Sequence, residues 1–276
     1  MNNLRKFNWI TQYNSAKEGE ELVKPSVSLV IDKAVVIYDY TPPKFMATYD
    51  DGRTYKLECD GNPTLTSGNT RPSGYDYTKM TSAAIGDCVT SIGNGTFANC
   101  TSLTSIVIPD SVTSIGNQAF QGCTSLTSIV IPDSVTSIGG GAFWSCTSLL
   151  SITIPSGVTS IGDWAFQSCS SLTSIVIPNS VETIGVSAFG YCTSLTSVTI
   201  GSNVISIGRS AFNETKNVKY LTSYAITPPT LGNYALSDLR YSVLDVYVPD
   251  VSINAYRSAS GWWAFASRIK PISQKP

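Results

Sequence analysis

The chain has no histidine in 276 residues. That removes the commonest general base, the usual serine and cysteine triads, and every histidine-containing zinc set. Charge is scarce too: 13% of residues are Asp, Glu, Lys or Arg, against roughly 25% in ordinary globular chains. Between residues 81 and 213 the charges are Asp87, Asp110, Asp133, Asp163, Glu182 and Arg209. A single cation cannot line a phosphate groove, so nucleic acid is excluded as the expected partner. No apolar run approaches the ~18 residues of a membrane span. The segment Met1 to Gln12 has two cations and no apolar run after them, so it does not read as a secretory signal. Either the chain is not exported by that route, which leaves a cytoplasmic or phage-borne location open, or a leader has been replaced.

What the chain does have is repetition. Units begin at Cys100, Cys123, Cys146, Cys169 and Cys192, each 23 residues after the last. An earlier coil is in register through Ile85, Val89, Ile92 and Phe97, and a fading one follows at Val218 and Leu221. Within a unit, Leu103, Ile106 and Ile108 form an L-x-x-I-x-I strand that Pro109 ends, because proline cannot donate to a ladder. Val112 and Ile115 point inward from a second extended piece. Gly116 then permits a bend, and Ala119-Phe120 form a single helical or 3-10 turn. No unit buries this face alone; stacking about six of them makes one core.

The five cysteines at fixed spacing lie one above another and read as small buried side chains with free thiols. A disulfide or a metal is the weaker reading, and no C-x-x-C pair exists. Asp110 and Asp133 recur one coil apart, but the series continues Ser156, Asn179, Ser202, which makes no calcium ladder. No cofactor, metal or catalytic constellation is expected.

The pattern I-P-x-S-V-T-x-I-G-x-x-A-F-x-x-C-x-S-L, as in Ile108 to Leu126, closely resembles the BspA-like subclass of bacterial leucine-rich repeats. The resemblance implies a right-handed leucine-rich repeat solenoid with a parallel concave sheet. It also implies a role in adhesion or recognition outside the cell or at its surface, and it names no ligand.

Four segments follow. Residues 1–43 contain the acidic Glu18-Gly19-Glu20-Glu21 and two apolar runs, Val27–Ile31 and Ala34–Tyr38, joined by Asp32-Lys33 as a plausible hairpin. They either attach the solenoid to something larger or extend its cap. Residues 44–79 form a cap built on a hairpin that turns at Asp50-Asp51-Gly52, with a loop from Asp60 to about Ser73. Residues 80–216 are the solenoid. Residues 217–276 are a degenerate last coil and a C-terminal cap, in which Asp250 caps a helix over Val251–Ser258 and both Trp262 and Trp263 close the core.

Two surfaces are candidates for binding. At the edge where the frame varies, the units carry Asn117-Gln118, Gly140-Gly141, Asp163-Trp164, Val186-Ser187 and Arg209-Ser210, and four residues on Gln121-Gly122, Trp144-Ser145, Gln167-Ser168, Gly190-Tyr191 and Asn213-Glu214. Three aromatics stand out there: Trp144, Trp164 and Tyr191. They either anchor a partner or only shield neighbouring turns. The concave sheet presents Ser105, Val107, Ser128, Val130, Ser151, Thr153, Ser174 and Val176, a flat uncharged surface that binds or is purely structural. The expected function is a non-enzymatic recognition or adhesion module for a protein or glycan partner. The alternative is a structural or receptor-binding part of a phage particle, with residues 1–43 as its attachment piece.

Overall fold

The computed structural model describes the backbone of Val27–Ile31 and Ala34–Tyr38, and residues 43–242 and 245–275 in full. Val27–Ile31 and Ala34–Tyr38 pair antiparallel, as the hairpin reading expects. The rest of the reading for residues 1–42, including the Asp32-Lys33 turn, falls outside the described residues.

The repeat makes two parallel ladders. On the side of the solenoid, eight strands stack in chain order. They begin at Thr64–Leu65 and Ser91–Ile92, continue through Ser114–Ile115 and its equivalents, and end at Thr230–Leu231. Seven intervals of about 4.8 Å make this ladder about 34 Å long. The front ladder comes in three pieces. Four strands at the start include the hairpin Phe45–Tyr49 and Thr54–Leu57, which pairs antiparallel onto Met80–Ile85. Ser128–Ile129 pairs with Ser151–Ile152 in the middle, and five strands from Ser174–Val176 to Ile269–Pro271 complete the face. The front strands are short because Pro109, Pro132, Pro155 and Pro178 follow each one at the same place.

The third face is made of turns. Ala98 N–H donates to Gly95 O and Cys100 N–H to Phe97 O, so each coil makes two successive turns with the bonding of a 3-10 turn. Alternate N–H groups reach the next coil instead, as from Phe97 to Ala119 O and from Phe120 to Ala142 O. The glycine that starts this face is needed for closeness rather than for a bend. A Cβ on Gly139 would lie 2.5 Å from Asn117 N, and one on Gly185 2.6 Å from Asp163 N.

Inside, the Leu, Ile, Val and Phe positions of every coil form one continuous core. Phe97, Phe120, Phe143, Phe166, Phe189 and Phe212 stack with centroids 5.2–5.4 Å apart. The five ladder cysteines are buried and unoxidised. They are also donors: Cys123 Sγ–H reaches Phe97 O at 3.2 Å and Cys146 Sγ–H reaches Phe120 O at 3.1 Å. Burial pushes the thiols of Cys100 and Cys169 up to about 12 and those of Cys123, Cys146 and Cys192 well above the ordinary value.

The caps correct the sequence reading in four places. Cys59 and Cys88, which lie outside the cysteine ladder, form a disulfide that ties the hairpin to the first coil, where a disulfide was the weaker expectation. The expected loop after Asp60 contains the first side strand, Thr64–Leu65, and a helical turn at Ser67–Thr70. It belongs to the solenoid because Leu65 supplies the apolar contact that Ile92 would otherwise lack. Asp250 does not cap the α-helix, which is Ile253–Ser258 with Ser252 before it; its carboxylate accepts from Ser273 N–H instead. Trp262 is fully buried, its indole N–H donating to Pro229 O at 2.8 Å, but Trp263 is 64% exposed. The two cannot both face inward, because neighbours in the 3-10 helix Trp262–Arg268 point different ways.

Candidate functional site

The edge positions of the repeat are set by backbone hand. In each coil one residue of the first turn and one of the second have positive φ. The first series runs Gly95, Gln118, Gly141, Trp164, Ser187, Ser210 and Tyr234; the second runs Asn99, Gly122, Ser145, Ser168, Tyr191 and Glu214. Positive φ suits glycine and strains a bulky side chain. Trp164 at φ 57° and Tyr191 at φ 60° accept that strain and still leave 47% of their surface exposed.

The double glycine at 140–141 opens a notch of about 600 Å³ in this edge. It is lined by Asn117, Gln118, Gly140, Gly141, Trp144, Asp163, Trp164 and Gln167. Gly141 is its floor: a Cβ there would meet Gln118 Cγ at 3.4 Å and Trp144 Cβ at 3.7 Å. Side-chain bonds hold the rim in place. Gly140 N–H donates to Asn117 Oδ1 at 2.8 Å, and Val186 N–H donates to Asp163 Oδ1 at 2.6 Å. Among the described residues no hydrogen bond engages the side-chain amides of Gln118 and Gln167 or the two indole N–H groups. Asp163 is the one charged residue in the lining.

The structure therefore brings Trp144 and Trp164 to one notch and leaves Tyr191 outside it. Tyr191 occupies the second left-handed series, a coil further on, and faces a different stretch of the edge. The reading of three equivalent aromatics missed the notch itself. Its signal was present, since glycine falls at both variable offsets in a single unit. A smaller cleft of about 290 Å³ at the C-terminal end, lined by Tyr234, Arg240 and Trp263 among others, was also missed. Its signal is the alignment of Tyr234 with Gln118.

On the front face Ser128, Val130, Ser151, Thr153, Ser174 and Val176 all point outward and are exposed, as expected. Val107, expected beside them, is buried. It lies in register with Ala84, itself in register with Met46, and this apolar row at the capped end shields itself. Among the described residues no group of three His, Cys, Asp or Glu side chains could hold a metal ion.

Comparison with known proteins places the architecture. Residues 71–192 match the BspA type leucine rich repeat region in six copies. The fold is similar to that of the T. pallidum leucine rich repeat protein, with TM-score 0.54, 27% identity, and coverage of 78% of this chain and 92% of that one. A leucine-rich repeat protein from Eubacterium ventriosum shares the fold at TM-score 0.54 and 24% identity, over 72% of this chain and 50% of that one. No curated protein matches. Residues 71–192 are thus repeats of the BspA type, and the chain has the fold of a leucine-rich repeat solenoid.

Proposed function

We propose that the chain is a non-enzymatic recognition module that holds a protein or glycan partner outside the cytoplasm. The observation that carries this is the pair Trp144 and Trp164 flanking an open notch in an otherwise small-residue edge. Trp164, a large aromatic at a strained and half-exposed position, costs stability, and binding is what offsets such a cost. The front sheet, with Ser128, Val130, Ser151, Thr153, Ser174 and Val176, offers a flat second contact surface without a cavity. Location outside a reducing compartment is supported by the Cys59–Cys88 disulfide. Among the described residues no helix is long and apolar enough to cross a membrane.

The test is binding of the intact chain and of a Trp144→Ala, Trp164→Ala, Tyr191→Ala variant to arrays of extracellular proteins and glycans. Loss of binding with unchanged circular dichroism is expected. A partner that survives the triple change but is released by chelator or moderate salt overturns the reading.

A further inference from the structure

Resting on that edge as the binding surface, we infer that the Trp144–Trp164 notch is a saccharide site for an uncharged oligosaccharide. The argument is the match between the lining and what a sugar presents. A pyranose ring has an apolar C–H face and a rim of hydroxyls that both donate and accept. Two indoles supply faces for the first. Three side-chain amides (Asn117, Gln118 and Gln167) and one carboxylate supply the second, with donors and acceptors in both directions.

Two of these four polar groups are in place before any ligand arrives. Asn117 is fixed by the Gly140 N–H on its Oδ1, which leaves its NH2 donors for a ligand, and Asp163 is fixed by the Val186 N–H on one oxygen, which leaves the other. Such preorganisation lowers the ordering cost of weak polar contacts.

Charge narrows the class further. No cation lines the notch, so sulfated, phosphorylated or sialylated chains would meet Asp163 without compensation. An ammonium ligand could use Asp163 and the indoles, but three amides would then lie idle around a group with few or no hydrogen bonds to exchange. The floor agrees with a thin flat ligand: Gly140 and Gly141 keep it at backbone level, whereas Gln118 and Trp164 rise at the neighbouring first-series positions.

The experiment uses the full chain with an array of uncharged hexose and N-acetylhexosamine oligomers, followed by saturation-transfer NMR on those that bind. Choline and a lysine-rich peptide serve as cationic probes. At least one neutral oligomer is expected to bind, and Trp144→Ala or Trp164→Ala should weaken it by about tenfold or more. Gly141→Gln fills the floor, packing beside Trp144, and leaves both tryptophans in the sequence. It should fold, because Gln118 already stands at that position one coil earlier, and it should lose binding. Tyr241→Ala removes an exposed aromatic that lines neither cleft and should change nothing. Silence across the neutral array, or preference for the cationic probes, overturns the saccharide assignment. In either case a protein partner lost in the tryptophan variants would leave the edge itself standing. A neutral oligomer whose binding survives Trp144→Ala, Trp164→Ala and Gly141→Gln overturns both.

Discussion

Trp164 stands in its coil where Gly141 stands in the coil before, and the two share a left-handed backbone at φ 57° and φ 61°. The same geometry suits one residue and strains the other. Replacing Trp164 with Gly should therefore raise stability by about 1 kcal/mol, since relief of left-handed strain outweighs the added freedom of the unfolded chain. Guanidinium unfolding checks this. A variant that is less stable than the parent would mean that Trp164 is held for packing and not for binding.

Leu149 is fully buried and Thr153, four residues on, points to solvent. Leu149→Ala should cost about 2–5 kcal/mol, the range for a large-to-small change in a core that cannot collapse around it. Thr153→Ala should stay within about 0.5 kcal/mol. Equal losses at the two sites would be incompatible with the strand facing described above.

The thiol ladder ties stability to alkaline pH. Burial raises the Cys100 and Cys169 thiols from 9.0 to about 12, so the folded state keeps protons that the unfolded state gives up. Their contribution is fully present below pH 9 and is lost as pH rises through about 12. Unfolding free energy measured at stepped pH should stay level up to about 9 and fall beyond it, by at most about 1.4 kcal/mol per pH unit for each thiol. Cys169→Ala should make that fall shallower; an unchanged slope would remove the thiols as its cause. Thiol reagents at neutral pH should label the five slowly until denaturant is added.

Reduction acts elsewhere. Cys59–Cys88 closes a sequence separation of 29, and opening it should destabilise the N-terminal cap by about 3–4 kcal/mol through the freedom returned to the unfolded chain. Hydrogen exchange should quicken in Phe45–Tyr49 and Thr54–Leu57 while the central coils keep their protection. Uniform loss along the whole ladder would show that cap and coils unfold as one unit.

The solenoid was legible because its signal is additive: one apolar pattern, repeated every 23 residues, survives any single departure. Facing followed from the same pattern, which is why Ser128, Ser151 and Ser174 fall outward as read. The caps were less legible because nothing repeats there. No periodicity links Thr64–Leu65 to Ser91–Ile92, and Cys59 meets Cys88 only once the hairpin folds back onto the first coil. The aromatic edge was readable residue by residue but not as a shape. Trp144 and Trp164 line one notch and Tyr191 does not, because Trp164 and Tyr191 stand in different left-handed series, and sequence offsets do not reveal backbone hand.

On the side ladder every central coil pairs with its neighbours through the same register, Ser114 against Ser137 and Ser160 against Thr183. The joint between coils is therefore indifferent to which coils meet. If residues 169–191 were excised in frame, Cys192 would follow Ser168 and Ser197 would fall opposite Ser151. Tyr191 would be gone, and the Trp144–Trp164 notch would keep its lining residues, with Arg209 taking the place of Val186 beside Asp163. Recombination between such near-identical units can lengthen or shorten this molecule by whole coils. Reach can thus vary among descendants of the gene independently of the chemistry at the notch.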